Sequence, residues 1–212
     1  TAPLRSRTDT MTLTVHDHAV YAEAMRRVSP LTDADIRAGL SLVRVRELGR
    51  GEHLLRAGDV ARDAAVVVSG LLREHFLLAD GSERTKAFVL EGELSGSLAD
   101  LLSSAPARAY IVAEEPCRLL VVDFAASTAL AARSPAWGLV RARATEALLR
   151  IKAEREYELL GLDAEARYAA FRTRYPGIEA RVAAKHVASY LGITPVHLSR
   201  LRRRRRVKPA AE

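Results

Sequence analysis

Six arginines fall within the seven positions from 200 to 206, close to the C-terminal end of this 212-residue sequence. A guanidinium group is always charged and offers five N–H donors, which suit phosphate oxygens and the O6 and N7 atoms of guanine. The arginine run taken alone is equally typical of a solvated tail that adheres to any polyanion. The residues that precede the run decide between these two interpretations.

The segment 181–206 predicts two helices separated by a tight turn. Gly192 stands where such a turn needs a positive φ angle, and Ala188 stands where the two helices would cross. Thr194 can cap the second helix, and Pro195 fits its first turn, where a missing N–H costs nothing. Apolar residues recur at helical spacing and can share one small core: Val187, Leu191, Ile193, Leu198 and Leu201. This is the pattern of a helix-turn-helix.

If the two leucines of the second helix face inward, its opposite face is free to contact DNA. A helix of this kind fits the major groove, with its N-terminal residues nearest the base edges. We predict that Arg200 reads a guanine, an interaction worth about 1–3 kcal/mol of discrimination, and that Ser199 bonds to a base or a phosphate. Lys185 and the arginines after Arg200 are assigned to phosphates. The predicted DNA-binding residues are Lys185, Thr194, Val196, His197, Ser199, Arg200, Arg202, Arg203 and Arg204.

The positive charge is confined to the C-terminal quarter of the sequence. Residues 161–212 carry 12 Lys/Arg and 4 Asp/Glu, whereas residues 1–160 carry 21 and 22, within a net charge of +7. This asymmetry indicates that one segment meets a polyanion while the rest has another task. A membrane surface is also a polyanion, but the basic segment has no tryptophan or broad apolar face to enter lipid. Nucleic acid is therefore the favoured partner, and no membrane partner is expected.

The composition favours a folded protein, because hydrophobic residues make up 49% of the sequence, enough for a sizeable core. No run of about 18 uncharged apolar residues and no secretory signal is found, so the cytoplasm is the expected location. The single cysteine, Cys117, precedes an apolar run and is predicted to be a core residue. One cysteine excludes an intrachain disulfide and a multi-cysteine metal site.

Four segments are expected along the sequence. Residues 1–18 are polar and lack a period, and we predict that they are disordered or tag-like. Residues 19–133 hold a short helix and then, from Val43 onward, short apolar runs broken by Gly-containing turns, which predict an antiparallel β-domain. Residues 134–160 predict one long helix, and residues 161–212 predict the helical DNA-binding domain.

The long helix begins with Ser134 as its N-cap and Pro135 in its first turn, and about 26 residues give it a length of roughly 39 Å. Its apolar residues keep close to one stripe. Such a stripe predicts either a seam with a second copy of the chain or a face that covers the chain's own β-domain. Self-association is favoured because so long a helix would overhang a small domain. The predicted dimer-interface residues are Val140, Ala144, Leu148 and Ile151.

The stretch HVASYLGITPVHLSRLRRR resembles the DNA-binding helices of the Crp/Fnr family of bacterial transcription regulators. GRGEHLLRAGDVARDAAVVVSGLLREHFLLADGSE resembles that family's cyclic-nucleotide-binding-like β-roll, and the helix from Pro135 resembles its dimerisation helix. The resemblance covers residues 30–206 and implies an α+β fold, with an N-terminal antiparallel β-roll, a long central helix and a C-terminal helix-turn-helix domain. It also implies a homodimer that binds double-stranded DNA at a near-palindromic operator and meets RNA polymerase, with Ser199 and Arg200 reading the DNA.

Family members that bind cyclic AMP carry a Gly-Glu pair for the ribose and a downstream arginine for the cyclic phosphate. Here Gly96 is followed by Ser97, and Arg108 falls near the phosphate-binding position. Loss of the ribose acceptor argues against cyclic AMP, which leaves the effector open: another small molecule, or none. Haem remains an alternative, because it needs only one or two axial ligands and His53 and His75 lie in predicted strands. The predicted pocket residues are Gly92, Glu93, Gly96, Ser97 and Arg108, and no metal site is predicted.

No enzyme active site can be assembled from the sequence. A GxSxG motif is absent, and GRG at 49–51 lacks the third glycine and the following helix of a dinucleotide site. A sequence-indifferent nucleic-acid binder remains an alternative, and it predicts a weak specificity ratio and no loss of selectivity in Arg200→Ala. The favoured hypothesis is a homodimeric, sequence-specific transcription regulator with a β-roll sensor, and not an enzyme.

Overall fold

A computed structural model describes residues 12–103 and 105–207 of the chain, and the described part opens with two helices. Helix α1 spans Val15–Val28 and helix α2 spans Asp33–Leu40. Both begin with a capping box, in which a threonine hydroxyl accepts a backbone N–H and an aspartate three residues later accepts the N–H of the threonine. These boxes fix where the helices begin.

In the described part of the chain, eight strands follow and form two four-stranded sheets, and their antiparallel pairing is the one that the sequence predicts. In the first sheet the order is β1-β8-β3-β6, and in the second it is β2-β7-β4-β5. A short helix, α3, lies between β6 and β7. The bounds are β1 Val43–Leu48, β2 His53–Leu55, β3 Asp63–Ser69, β4 Leu72–Leu77, β5 Glu83–Val89, β6 Leu94–Ser95, α3 Leu98–Ser103, β7 Ala109–Ala113 and β8 Cys117–Asp123.

One apolar core lies between the two sheets and includes Val67, Leu72 and Leu119, each with 0% exposure. Cys117 is buried in the same core, in agreement with the prediction. The turn between β3 and β4 passes close to it at Gly70, whose φ is +92°. A Cβ atom there would lie 2.4 Å from the carbonyl oxygen of Pro116, so only glycine fits this turn.

Helix α1 begins inside the segment that was expected to be disordered, so that expectation is wrong from Val15 to His18. Asp17 is completely buried, and its two carboxylate oxygens accept hydrogen bonds from Arg118 of β8 at 2.9 and 2.8 Å. The Arg118 guanidinium holds the pKa of the Asp17 carboxyl well below its usual range. Tyr21 packs into a second core on the outer face of the first sheet. Residues 12–14 lead into the helix, with Thr14 as its N-cap, and residues 1–11 of the expected disordered segment lie outside the described residues.

Two helices follow the strands: α4 spans Phe124–Arg133 and α5 spans Pro135–Gly161. The Ser134 hydroxyl accepts the N–H of Trp137 at 3.4 Å, which confirms the predicted start of the long helix. One predicted interface residue requires correction. Val140 is only 7% exposed and packs into the core shared with the first sheet, so it covers the chain's own β-roll.

The C-terminal part consists of helices packed on the outer face of the second sheet. Their bounds are α6 Ala164–Arg174, a 3-10 turn Ile178–Ala180, α7 Ala184–Leu191 and α8 Pro195–Val207. A third core joins them to Leu71 and Phe88 of the β-roll. Within the described ranges, no helix has the length and apolar character needed to cross a membrane.

Candidate nucleic-acid interface and effector site

Helices α7 and α8 are joined by a short turn, in the geometry that the sequence predicts. Gly192 has φ +69°, and the N–H of Ile193 reaches back to the carbonyl of Ala188 at 3.0 Å. The Thr194 hydroxyl accepts the N–H of His197 at 3.1 Å and so caps α8. The two helices share a dry core, because Val187, Leu191 and Leu198 have 0% exposure.

The outer face of α8 is open to solvent. Arg200 is exposed near the start of the helix, and Val196 beside it is 62% exposed. A shallow groove of about 300 Å³ runs along this face between Thr194 and Arg204. The structure therefore brings these predicted DNA-binding residues together on one accessible surface: Thr194, Val196, His197, Ser199, Arg200, Arg203 and Arg204. Lys185 is also exposed, at the beginning of α7.

Arg202 is a correction to the predicted phosphate contacts. Its guanidinium donates to Glu179 of the 3-10 turn at 2.9 and 2.6 Å, and Tyr168 of α6 donates to the same carboxylate at 3.0 Å. These bonds tie α8 to α6, so the Arg202 guanidinium already has a protein partner that the sequence did not predict. The signal in the sequence is its phase: Arg202 follows the buried Leu201 and lies on the edge of the inward face.

The segment expected to form the effector pocket surrounds helix α3. Gly96 has φ +146°, and Ser97 next to it is 3% exposed. Asp100 is 5% exposed, and its carboxylate accepts the backbone N–H of Arg108 at 3.4 Å, while the Arg108 side chain is exposed. The Asp100 carboxylate is thus held by the backbone of the residue that the sequence places near the cyclic phosphate. Sequence reasoning missed Asp100, although it lies on the segment quoted for the pocket.

Gly92 and Glu93 lie in the turn between β5 and β6, where both accept hydrogen bonds from other residues of the protein. The carbonyl of Gly92 accepts from Arg27 of α1 at 2.6 Å, and a Cβ at Gly92 would meet the same arginine. Glu93 is exposed and accepts the N–H of Leu90 at 2.8 Å. These two residues therefore shape the loop that leads to α3.

A charged group inside the β-roll was not predicted. Glu74 of β4 lies opposite Ile111, a residue of the core between the sheets, and it forms an ion pair with Lys86 of β5. The Lys86 ammonium lies 5.7 Å from the centre of the Phe76 ring. Burial, and then the charge of Lys86, lower the pKa of Lys152 on α5. The alternation of LREHFL places a glutamate on the inner side of β4, which is the signal that sequence reasoning overlooked.

The two histidines of the haem alternative flank Tyr110 of β7. The rings of His75 and Tyr110 stack at 5.1 Å with an interplanar angle of 14°, and His53 meets Tyr110 edge-on at 5.8 Å. The Nδ1 atoms of both histidines are buried and have no hydrogen-bond partner among the described residues. Iron has no approach to these two enclosed Nδ1 atoms, and the Nε2 atom of His75 lies 3.9 Å from the Glu83 carboxylate. No group of three or more His, Cys, Asp or Glu in the described ranges could hold a metal ion.

Comparisons with known proteins agree with this architecture. Residues 45–134 match the family model of the cyclic nucleotide-binding domain. The structure resembles FixK2 from Bradyrhizobium japonicum, with 21% identity over 76% of this chain and 83% of that chain and a TM-score of 0.67. It also resembles the catabolite activator protein of Thermus thermophilus, with 26% identity over 89% of this chain and 91% of that chain and a TM-score of 0.55.

A third similar structure is the c-di-GMP responsive global regulator CLP of Xanthomonas campestris, with 16% identity over 81% of this chain and 90% of that chain and a TM-score of 0.63. No curated protein sequence matches the chain. The structural neighbours are transcription regulators of the Crp/Fnr type, not enzymes. By its fold this chain therefore resembles the Crp/Fnr-type regulators, and its residues 45–134 match the cyclic nucleotide-binding domain.

Proposed function

We propose that this chain is a sequence-specific DNA-binding transcription regulator. The observation that carries the proposal is the arrangement of α8, which buries Leu198 and Leu201 against its neighbours and exposes Ser199 and Arg200 on the other side. A helix presented in this way fits the major groove, where arginine binds guanine with two hydrogen bonds. The exposed cations beside it, Lys185, Arg203 and Arg204, are placed to neutralise phosphates.

We propose further that the regulator is a homodimer, with a seam on α5 different from the one that the sequence suggested. Leu149 and Leu160 are 69% and 82% exposed on the side of α5 away from Val140. They belong to an apolar stripe whose residues are three, four or seven positions apart, and Glu146 interrupts it. A stripe with this spacing suits pairing with a second copy of the helix. The stripe comprises Leu139, Ala142, Leu149, Ala153 and Leu160. A two-fold dimer reads a near-palindromic operator with half-sites about 34–36 Å apart.

The effector of the β-roll is proposed to be a molecule other than cyclic AMP. Ser97 lacks the carboxylate that the family resemblance assigns to the ribose, and the buried carboxylate of Asp100 lies beside the backbone of Arg108. An effector would act by binding one placement of the two recognition helices better than another. Contact with RNA polymerase and a cytoplasmic location remain predictions from the family resemblance.

Selection of bound duplexes from a random DNA library at about 150 mM salt tests the proposal, because non-specific ionic binding is weakened there. Wild type, Arg200→Ala and Arg203→Ala are compared in parallel. We expect wild type to recover an inverted repeat and Arg200→Ala to lose its preference at one base pair per half-site. Arg203→Ala is the matched control on the same helix, and it should bind all sequences more weakly without changing the preference.

The alternative outcomes are distinct. Recovery of no motif, with binding that fades steadily as salt increases, would favour the sequence-indifferent binder. A preference unchanged in Arg200→Ala would show that this residue does not read a base. The dimer is checked on the same samples by light scattering, which should report twice the 23.2 kDa of one chain. A single-chain mass at micromolar concentration would contradict the proposed seam.

A further inference from the structure

The free edge of the second sheet is closed by one side chain of the DNA-binding unit. Strand β5 is an edge strand, so its outer N–H and C=O groups have no strand partner. Ser189 of α7 meets them: its hydroxyl accepts the N–H of Thr85 at 2.9 Å and donates to the carbonyl of Glu83 at 2.8 Å. One hydroxyl therefore makes the donor and acceptor contacts that a neighbouring strand would otherwise make.

An ion-pair group holds the same two parts together at the start of α7. The Arg181 guanidinium donates to Glu91 at 3.1 and 2.5 Å and to Glu115 at 3.3 and 2.5 Å. A single exposed ion pair contributes little to stability. Here two carboxylates accept from one planar guanidinium, which fixes the orientation of the Arg181 side chain as well as its distance from the β-roll. The pKa of Arg181 is raised by these two partners, so the group stays charged at any ordinary pH.

A buried polar network and an aromatic cluster lie between these two contacts. Arg73 of β4 pairs with Glu83 at 2.8 Å and with Glu114 at 2.5 Å, and His186 of α7 lies 3.7 Å from Glu114. Phe88 of β5 packs against three rings of the helical domain, Phe171, Tyr175 and Tyr190, with centroid distances of 6.2, 5.6 and 5.8 Å. The apolar contact stabilises the packing of the helical domain on the β-roll, whereas the directional bonds of Ser189 and Arg181 select one orientation of that domain.

The contact also reaches the long helix. The Arg155 guanidinium of α5 lies 3.9 Å from the centre of the Tyr190 ring and donates to the Tyr190 carbonyl. Helix α7 is thus held on one side by β5 of the sensor and on the other by the proposed dimer helix. Because α7 and α8 share a fully buried core, any rotation of α7 on β5 carries the recognition helix with it.

We propose that Ser189 and Arg181 are positioning residues, which together with Glu83, Thr85, Glu91 and Glu115 form a clasp that fixes the orientation of α8 on the β-roll. This inference rests on the proposed DNA-binding function. A dimer can use both half-sites at once only if its two recognition helices are held at the correct separation and angle. Loosening the clasp therefore weakens paired binding to an inverted repeat and leaves binding to one half-site nearly unchanged.

The first test needs no DNA. Amide hydrogen exchange of Thr85 reports its bond to Ser189 directly, since an edge-strand N–H has no other partner there. We expect Ser189→Ala to raise the exchange rate of Thr85 about tenfold, as loss of one partly buried hydrogen bond implies. Ser127→Ala is the matched control, because that hydroxyl bonds only within α4, to the carbonyl of Phe124. Fast exchange of Thr85 in the wild type would overturn the clasp.

The second test measures the ratio of affinities for the selected inverted repeat and for a duplex with one half-site. We expect Ser189→Ala and Arg181→Glu to lower this ratio about tenfold, with half-site affinity changed less than about twofold. Arg181→Glu combined with Glu115→Arg reverses one ion pair and should restore much of the ratio, whereas Glu115→Arg alone should not. This rescue separates a positioning role from general destabilisation.

The outcomes separate the two proposals. An unchanged ratio in variants whose Thr85 amide exchanges faster would refute the positioning role, while the DNA-binding function would stand. Equal losses on both duplexes, without rescue by the charge reversal, would refute it as well. Wild type that binds neither duplex would refute the proposed function and the positioning role together, and Thr85 protection would then report a contact of the fold alone.

Discussion

We predict that protonation of His75 lowers the free energy of unfolding in mild acid, and that a single substitution at this position measures by how much. It is 5% exposed on β4, stacked on Tyr110, with Arg73 and Glu83 on the same side and His53 and His186 nearby. Burial, and then the positive charge of Arg73, lower the pKa of His75 to about 4, although Glu83 opposes the shift. Unfolded histidine titrates near 6.5.

The sign and size of the effect follow from these two values. Between pH 6.5 and 4 the unfolded chain binds a proton at this position that the folded chain does not, so the free energy of unfolding falls as pH falls. From pH 7 to pH 5 the loss due to His75 is about 2 kcal/mol. The pKa values of His53 and His186 are also lowered, first by burial, so they add to the loss in the same direction.

His75→Phe keeps a ring against Tyr110 and cannot take up a proton. We expect wild type to lose about 2 kcal/mol more than this variant between pH 7 and pH 5, measured by urea unfolding at each pH with the m-value as a check. At pH 7 the variant should be at least as stable as wild type, because it removes the buried, unpartnered Nδ1 of His75. Equal losses in the two proteins would refute the reasoning, because His75 would then titrate in the folded chain as it does in the unfolded one.

Two further substitutions test ion pairs between residues that are distant in the sequence. Asp17→Asn leaves the Arg118 guanidinium without its buried carboxylate partner, so we expect a loss of about 2 kcal/mol at pH 7 in guanidinium unfolding. The contribution of this pair to the free energy of unfolding should decline as pH falls below about 4, because Arg118 lowers the pKa of Asp17 in the folded chain. If Asp17→Asn lowers the free energy of unfolding at pH 7 by less than about 0.5 kcal/mol, α1 is not held by this pair. Arg202→Ala should lower stability by about 1 kcal/mol and leave the salt dependence of DNA binding unchanged, whereas Arg203→Ala should reduce the slope of log K against log salt by about 1 with little change in stability. The reverse pattern would show that Arg202 faces DNA.

Features that depend on neighbouring residues could be predicted from the sequence. Gly192, Thr194 and Pro195 mark the turn and the start of α8 because positive φ, a side-chain acceptor and a missing N–H each have a local requirement. The same holds for the start of α5 at Ser134 and for the strands, whose alternation reflects one buried face. The exposed face of α8 follows from the buried positions of Leu198 and Leu201.

Features that depend on distant partners could not be predicted. Helix α1 looked structureless because the arginine that holds Asp17 lies 101 positions away, and no local pattern records it. The stripe on α5 was read correctly as apolar, but periodicity does not say whether its partner is the β-roll or a second chain, and Val140 contacts the β-roll. Arg202 was assigned to phosphate because its partner Glu179 lies on another element, 23 positions earlier.

The position of the helices α7 and α8 on the β-roll also depends on partners that are distant in the sequence, and this has a consequence for the proposed function. The bonds of Ser189 to Glu83 and Thr85 span 106 and 104 positions, and nothing in the sequence around Ser189 distinguishes it from a surface residue of a helix. A resemblance confined to the terminal motif would leave the unit as a freely tethered reader of DNA. The directional bonds of Ser189 attach it to the edge strand β5 instead, so a change in the β-roll that shifts β5 must either carry α8 with it or break these bonds. Under the proposed function, coupling between the β-roll and α8 is therefore best sought at the edge of β5, and the exchange rate of the Thr85 amide is the quantity that an effector of the β-roll should change.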